Sequence, residues 1–335
     1  MTIASEITRI KTNIANAYTS ASGKGATLPD VQNSENLASC IDSITGGGSG
    51  GSSSKYGATI DNFLGNVDES GTYIAPSTPA NIVFSGATNI GENALSKAFN
   101  YETPVESVTF PDVEYLTNNY SLQECFYNSS YLKSLSFPKL KEITGKSVMS
   151  SACYYAQNLE TISFPLLEKI YTGMYGGYNF SNAFNYCSKL TSIAFPNLAT
   201  ITDEGVFNQA FYNCKNLVSA DFSKLSYINS STGGFRQAFY GCSKLESVNF
   251  DSLQSMYADM QGCFYNCTSL TKISFPSLNN LGSQRFGSSS STYMFYGCTN
   301  LTEIHFRADM QSTIESYRGY ADKWGATNAT IYFDL

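Results

Sequence analysis

The sequence predicts an α/β repeat solenoid in which each rung, or turn of the coil, contributes one strand to a parallel sheet. Two observations predict it. A repeated sequence motif, which we call the phrase, runs from Ala183 to Ile201. Near copies of it start at Ala98, Cys125, Ala152, Ala210, Ala238, Cys263 and Met294 of the 335-residue chain. The phenylalanine that closes each copy's strand, the strand Phe, recurs every 25 to 31 residues, at Phe110, Phe137, Phe164, Phe195, Phe222, Phe250, Phe275 and Phe306. Such a period is typical of units that bury their apolar face only against the next unit.

Within each copy, the alternation that places Ile193 and Phe195 two residues apart predicts the strand. Pro196 ends it, because proline has no N–H to donate to a neighbouring strand. Phe84 lies 26 residues before the series and Phe333 lies 27 after it, so ten parallel strands are expected. At about 4.8 Å per strand, they would form a stack of roughly 50 Å.

The rest of each copy predicts a return to the core and a turn. Leu198 and Ile201 are expected to point back into the core, and a loop of variable length follows them. Ala183 and Phe184 predict a short helical turn, and we call the second of these positions the turn Phe. An Asn or Gly two residues after the turn Phe predicts a left-handed residue that ends the turn, at Asn128, Asn213, Gly241, Asn266 and Gly297.

The full phrase A-F-x-x-C-x-x-L-x-x-I-x-F-P-x-L-x-x-I resembles the BspA-type leucine-rich repeat of bacterial surface proteins over residues 81–335. The resemblance implies a right-handed β-solenoid with irregular or short helical convex turns. It also implies binding to a ligand or a host surface, without catalysis. The copies depart from the family's usual rung in length, mostly between the second Leu-x-x-Ile and the next Ala-Phe.

The N-terminal segment has a different pattern. Ile3, Ile7, Ile10 and Ile14 follow a heptad seam, and Ile41 belongs to a second short apolar pattern, so residues 1–45 are predicted to form a helical attachment or oligomerisation module. Residues 46–55 are a Gly/Ser linker by composition, 56–80 an N-terminal cap region, and 81–335 the solenoid. The opening resembles the N-terminal module of tail-associated structural proteins of phages of Gram-positive gut bacteria. That resemblance implies that the module anchors and the solenoid recognises.

Composition and charge exclude two kinds of partner. The net charge is −7 and only 14% of residues are charged, whereas nucleic-acid binding requires a basic face. We expect no membrane insertion, because no long apolar run occurs. Glu6, Arg9 and Lys11 interrupt the first residues, which argues against a secretory signal. We therefore expect a protein made in the cytoplasm, virion-associated or released, that acts outside the cell.

Few side chains could take part in catalysis or metal binding, and no catalytic residue, cofactor or metal site is predicted. Nine cysteines occur, and one repeat position holds most of them, at Cys187, Cys214, Cys242, Cys267 and Cys298. Such a column favours buried structural thiols, with a disulfide or metal as the alternative. His305, the one histidine, is expected to be an outward strand residue rather than a general base. Trp324 is expected to close the end of the core.

The candidate ligand-binding residues lie on the variable loops, because loops carry binding function more often than framework positions do. These candidates are Tyr171, Tyr175, Tyr178, Phe235, Arg236, Arg285 and Phe286. A second candidate is the stripe formed by the tyrosine after the turn Phe, at Tyr127, Tyr154, Tyr212, Tyr240, Tyr265 and Tyr296. The small polar outward residues of the strands form a third surface.

The predicted function is non-enzymatic recognition of a cell-surface protein or glycan, in the setting of a phage tail receptor-binding protein. A homo-oligomer through residues 1–45 would be compatible with the heptad seam. The alternatives are a bacterial surface adhesin of the same fold that binds host proteins, and a glycan-processing enzyme.

Overall fold

The computed structural model describes residues 66–67, 73–74, 80–84, 86–101, 103–172, 176–230, 233–281, 286–287, 292–317 and 319–335. They lie in the second of the chain's two compact units, Lys55–Leu335. The predicted module 1–45, the linker 46–55 and most of the predicted cap region 56–80 lie outside the described residues. Within that cap region, strands β1 (Asn66–Val67) and β2 (Tyr73–Ile74) pair antiparallel.

The ten predicted parallel strands are confirmed and form the first face of the solenoid. Their pairing is broken twice, giving groups of four, three and three strands. Equivalent repeat positions lie side by side, so that Ile193 pairs with Ala220 and Ala220 with Val248. The strands are β3 (Ala80–Val83), β4 (Val105–Thr109), β6 (Ser134–Ser136), β8 (Thr161–Ser163), β10 (Ser192–Ala194), β12 (Ser219–Asp221), β14 (Ser247–Asn249), β16 (Lys272–Phe275), β18 (Glu303–Phe306) and β19 (Thr330–Phe333).

A second parallel sheet of seven strands forms another face, and the prediction of one strand per rung was wrong for these rungs. Its order follows the chain, from the first strand to the last. The returning Leu and Ile side chains are buried as predicted, but the backbone beside them pairs between rungs. The strands are β5 (Tyr115–Leu116), β7 (Glu142–Ile143), β9 (Lys169–Tyr171), β11 (Thr200–Thr202), β13 (Tyr227–Ser230), β15 (Ser255–Ala258) and β17 (Asn280–Leu281).

The third face consists of stacked turns, and the predicted helical turn at Ala183–Phe184 was wrong. Amides alternate between two partners: Ala98 N–H donates to Leu95 O at 3.1 Å within the turn, and Phe99 N–H donates to Cys125 O at 2.8 Å on the next rung. We call these segments the turn ladder. They end at left-handed residues with φ of 54° to 77°, and the predicted members of this set are confirmed: Tyr101, Asn128, Tyr155, Tyr186, Asn213, Gly241, Asn266 and Gly297.

The core lies between the three faces as continuous aromatic columns. Successive strand Phe rings stack with centroids between 4.6 Å, for Phe84 and Phe110, and 6.2 Å, for Phe306 and Phe333. At the C-terminal end, helix α1 (Gln311–Glu315) and two short 3-10 helices precede β19. Trp324 is 1% exposed and its ring centroid lies 6.4 Å from that of Phe306, as expected for a residue that closes the core.

The described part of the chain contains no helix with the length and apolar character needed to cross a membrane.

Candidate interaction surfaces

The loop edge is the border where chain leaving the second sheet enters the turn ladder. Tyr171 ends β9 and is 44% exposed, with the Lys169 ammonium 5.4 Å from its ring centroid. Tyr178 begins the next turn segment with φ of 47° and is 39% exposed. Arg236 is exposed and forms no ion pair with a described residue. Two predicted binding residues, Tyr175 and Arg285, lie outside the described residues.

Phe235 and Phe286 do not belong to this surface, and their assignment as ligand-binding residues is corrected. Phe235 is fully buried, with its ring centroid 5.1 Å from that of Phe207. Phe286 is 3% exposed and packs against Trp324 at 5.0 Å between centroids. A side chain enclosed by the core cannot contact a ligand at the edge.

The sequence did contain a signal for the burial of Phe235. It lies four residues before the turn Phe at 239, and every earlier repeat has a large apolar residue at that position. All of them are buried: Leu95, Leu122, Met149, Phe180 and Phe207. A position that is apolar in seven of the eight copies belongs to the scaffold, even where the adjoining loop varies.

The tyrosine stripe is a nearly continuous stack along the solenoid. Ring centroids lie 5.1 Å apart for Tyr127 and Tyr154, and 4.6 Å apart for Tyr212 and Tyr240, with the rings nearly parallel. Each face of a stacked ring is covered by its neighbour, so the stripe presents ring edges and hydroxyl groups to solvent. Desolvation by burial raises the pKa of Tyr154, Tyr212 and Tyr265 above the usual range. These phenols therefore stay neutral and able to donate hydrogen bonds.

Three members of the stripe were missed by the sequence reasoning. The copies with Asn100 and Asn185 after the turn Phe have their tyrosine one residue later, at Tyr101 and Tyr186. Tyr155 lies between a tyrosine of each kind. Its ring centroid is 5.1 Å from that of Tyr154, directly after the turn position, and 4.4 Å from that of Tyr186, one residue later in its copy. All eight copies therefore supply a tyrosine, which favours a packing role.

The described cysteines are structural thiols. All eight are buried and free: Cys125, Cys153, Cys187, Cys214, Cys242, Cys263, Cys267 and Cys298. Cys40 lies outside the described residues. Where described, the chain brings no three His, Cys, Asp or Glu side chains together in an arrangement that could hold a metal ion.

His305 occupies an outward position of its strand, as expected, yet its environment differs from an exposed strand residue. Tyr332 stacks on its ring at 4.7 Å between centroids, and the side chain is 8% exposed. Its Nδ1 lies 2.8 Å from an Asp334 oxygen and its Nε2 lies 3.1 Å from a Glu303 oxygen. The hydrogen bond from His305, together with that from Lys272, holds the pKa of Glu303 below its usual range. With both ring nitrogens in contact with carboxylates, His305 links β18 to the residue that follows β19.

The fold and these surfaces define a class: a leucine-rich repeat solenoid with buried thiols and exposed loop residues. The family model described as "BspA type Leucine rich repeat region (6 copies)" matches residues 80–181 and 180–318. The chain belongs to this family, as its repeat phrase predicted. Leucine-rich repeat proteins of the BspA type are generally protein-binding surface or adhesion proteins, and the match indicates no enzyme family.

Several solved structures are similar to this chain at low identity. A leucine-rich repeat protein of T. pallidum is 15% identical, with 82% of this chain and 96% of that chain covered and a TM-score of 0.39. A leucine-rich cell surface protein from Faecalibacterium prausnitzii is 15% identical, with 81% and 94% covered and a TM-score of 0.30. An internalin from Listeria monocytogenes is 12% identical, with 74% and 66% covered and a TM-score of 0.28. No curated protein matches the chain.

Proposed function

We propose that this protein is a non-enzymatic recognition protein that binds a cell-surface protein or glycan through the loop edge. The observation that carries the proposal is the contrast between the core and this edge. Thiols are enclosed in the core, whereas Tyr171, Tyr178 and Arg236 are exposed where the repeat length varies most. Exposed tyrosine and arginine are the side chains that most often supply binding energy in protein interfaces.

The preferred setting is a phage tail, in which the solenoid recognises the host cell and residues 1–45 attach it to the particle. The heptad seam of Ile3, Ile7, Ile10 and Ile14 and the Gly/Ser segment 46–55 support this setting. The site of action would be outside the cell. Membership of a family of surface and adhesion proteins favours a second candidate, a bacterial adhesin that binds host proteins.

Binding to whole cells tests the loop edge. The double substitution Tyr171→Ser and Tyr178→Ser in the full chain is expected to weaken binding by roughly tenfold or more, as removal of two interface tyrosines does. Tyr115→Ser is the matched control, because Tyr115 is also 44% exposed but begins its strand, β5, in register with Lys169 rather than with Tyr171 at the loop edge. Equal binding by the double variant and wild type would refute the loop-edge assignment.

The oligomeric role of residues 1–45 needs a separate test. If the heptad seam joins copies of the chain, Ile7→Asp with Ile14→Asp places charges in that seam and should give a monomer. Light scattering coupled to gel filtration measures the mass. A monomeric wild-type protein, or an unchanged mass in the variant, would rule out this seam as the interface.

A further inference from the structure

A shallow groove of about 510 Å³ crosses several rungs where the chain passes from the turn ladder into the strands of the first sheet. We call it the rung-entry groove. Its lining includes Glu160, Lys189, Thr191, Asn216, Val218 and Lys244. In each rung the chain enters the turn ladder at the loop edge and leaves it at the rung-entry groove, so the two surfaces are separate.

The groove results from a change in side-chain length at one repeat position. The residue after the first Leu of each copy is long in Lys133, Glu160 and Glu246, but short in Thr191 and Val218 between them. The two short residues line the groove, together with Glu160 on the rung before them. Val218 is 36% exposed there.

The two lysines of the groove are unpaired, in contrast to Lys133 on an earlier rung. Lys133 Nζ forms an ion pair with Glu106 Oε1, at 2.7 Å, on the neighbouring rung. Lys189 and Lys244 are exposed, and neither forms an ion pair with any described residue. They occupy the same repeat position two rungs apart, which places them about 10 Å apart along the stack. An otherwise acidic chain thus has two unpaired lysines, two rungs apart, beside one groove.

We propose that the rung-entry groove binds an anionic polysaccharide, whose carboxylate or phosphodiester groups pair with Lys189 and Lys244. The groups between the two lysines are suited to sugar hydroxyls: the Thr191 hydroxyl, the Asn216 amide and the Glu160 carboxylate can all hydrogen-bond to them. The Asn216 amide is held in place, because its Nδ2 donates to Ser188 O at 2.7 Å. Val218 offers methyl groups to the apolar side of a sugar ring.

Two other anionic polymers fit less well. Glu160 lies in the same groove as the lysines, so a polymer with closely spaced charges, such as nucleic acid or an acidic peptide, meets repulsion there. A peptide that binds by strand addition needs an unpaired sheet edge with room for another strand. β8 and β10 do not pair beneath the groove, but they lie side by side and leave no such room. A chain whose charges are separated by neutral hydroxyl-bearing units avoids both problems.

The test measures binding of the full chain to immobilised polymers at low and moderate salt. Polygalacturonate supplies carboxylates, poly(glycerol phosphate) supplies phosphodiesters, and dextran is the neutral control. We expect binding to one or both anionic polymers that weakens with salt and is absent for dextran. Lys189→Gln with Lys244→Gln should weaken it by about tenfold, the effect of two exposed ion pairs.

Two further variants separate local from general effects. Lys146→Gln with Lys224→Gln removes the same charge from exposed positions elsewhere and should leave binding unchanged. Thr191→Glu introduces a side chain that the same repeat position holds in Glu160 and Glu246, so folding should persist while binding is lost. Equal affinity in the Lys189/Lys244 variant, or no binding to either anionic polymer, would overturn the proposal. Polyglutamate binding with the same lysine dependence would overturn the glycan assignment in favour of an acidic peptide.

Discussion

The thiol of Cys214 donates to the carbonyl oxygen of Phe184, on the preceding rung, at 3.0 Å. Cys187, Cys242, Cys267 and Cys298 make the equivalent contact at 2.9 to 3.2 Å. A small side chain with a weak donor is thus used once per rung to meet a buried carbonyl. The sequence predicts the column, but the hydrogen bond depends on the register between rungs.

Burial makes these thiols unreactive, which labelling can measure. Desolvation raises the pKa of Cys214 from 9.0 to about 12, so its thiolate fraction at pH 8 falls by about a thousandfold. Iodoacetamide at pH 8 should therefore leave it unlabelled in the native protein, whereas the protein in guanidinium labels fully. Peptide mass mapping reports each cysteine separately. Native labelling of Cys214 at the unfolded rate would contradict this result.

Asp203 is a buried carboxyl whose environment predicts a pH dependence of stability. It is 1% exposed and accepts hydrogen bonds from the Thr172 hydroxyl at 2.5 Å and the Asn179 N–H at 3.1 Å. Burial nevertheless raises its pKa above the usual 3.8. A raised folded pKa contributes stability that is fully present below the unfolded value. That stability is lost as the pH rises through the folded value.

Asp203→Asn should remove this dependence, because an amide does not ionise. The free energy of unfolding of the variant, relative to wild type, should increase between pH 4 and pH 7. Guanidinium unfolding at several pH values measures it. A relative stability that falls over this interval would show that the two hydrogen bonds outweigh desolvation.

At the scale of the elements, the turn ladder imposes left-handed backbone on residues of many types. Lys97, Glu124, Ser151 and Gln209 all have φ of 53° to 59°, although none of these residue types favours it. The hydrogen bonds between rungs hold them there, since alternate amides point to the next rung. Local propensity therefore identifies only the Asn and Gly members.

Gly241 gives a test of this constraint. Its φ is 71°, and an added Cβ would clash with Asn213 Oδ1. Gly241→Ala should lower the free energy of unfolding by about 1–2 kcal/mol, because the backbone is strained and the Asn213 side chain must move. Arg236→Ala, an exposed change in the same turn segment without positive φ, is the control and should have almost no effect. Equal stabilities of the two variants would contradict the argument.

The elements divide clearly into those that sequence could predict and those it could not. The first sheet was predictable, because Ile193 and Phe195 alternate and Pro196 ends the strand. The second sheet was not, since strands such as Tyr115–Leu116 are too short to show alternation. For the candidate site, loop length correctly predicted the exposure of Tyr171 and Tyr178 but not the burial of Phe235. The rung-entry groove depends on side-chain lengths compared across rungs, which a single copy does not show.

At the scale of the whole solenoid, each rung is stabilised by its two neighbours, so the cost of one substitution should depend on its place in the stack. Phe195 is fully buried and lies between Phe164, at 5.6 Å, and Phe222, at 5.4 Å between centroids. Phe333 is half-buried and stacks on Phe306 at 6.2 Å, at the end of the column.

Phe195→Ala should therefore cost about 3–5 kcal/mol, the usual range for a buried Phe, whereas Phe333→Ala should cost about 1–2 kcal/mol. Guanidinium unfolding gives the total, and hydrogen exchange locates the loss. The central variant should lose amide protection on the rungs both before and after it, because it interrupts the core column on two sides. The end variant should lose protection only near β18 and β19. Equal costs, or loss of protection throughout the solenoid in both variants, would mean that the rungs unfold as a single cooperative unit rather than through nearest-neighbour contacts.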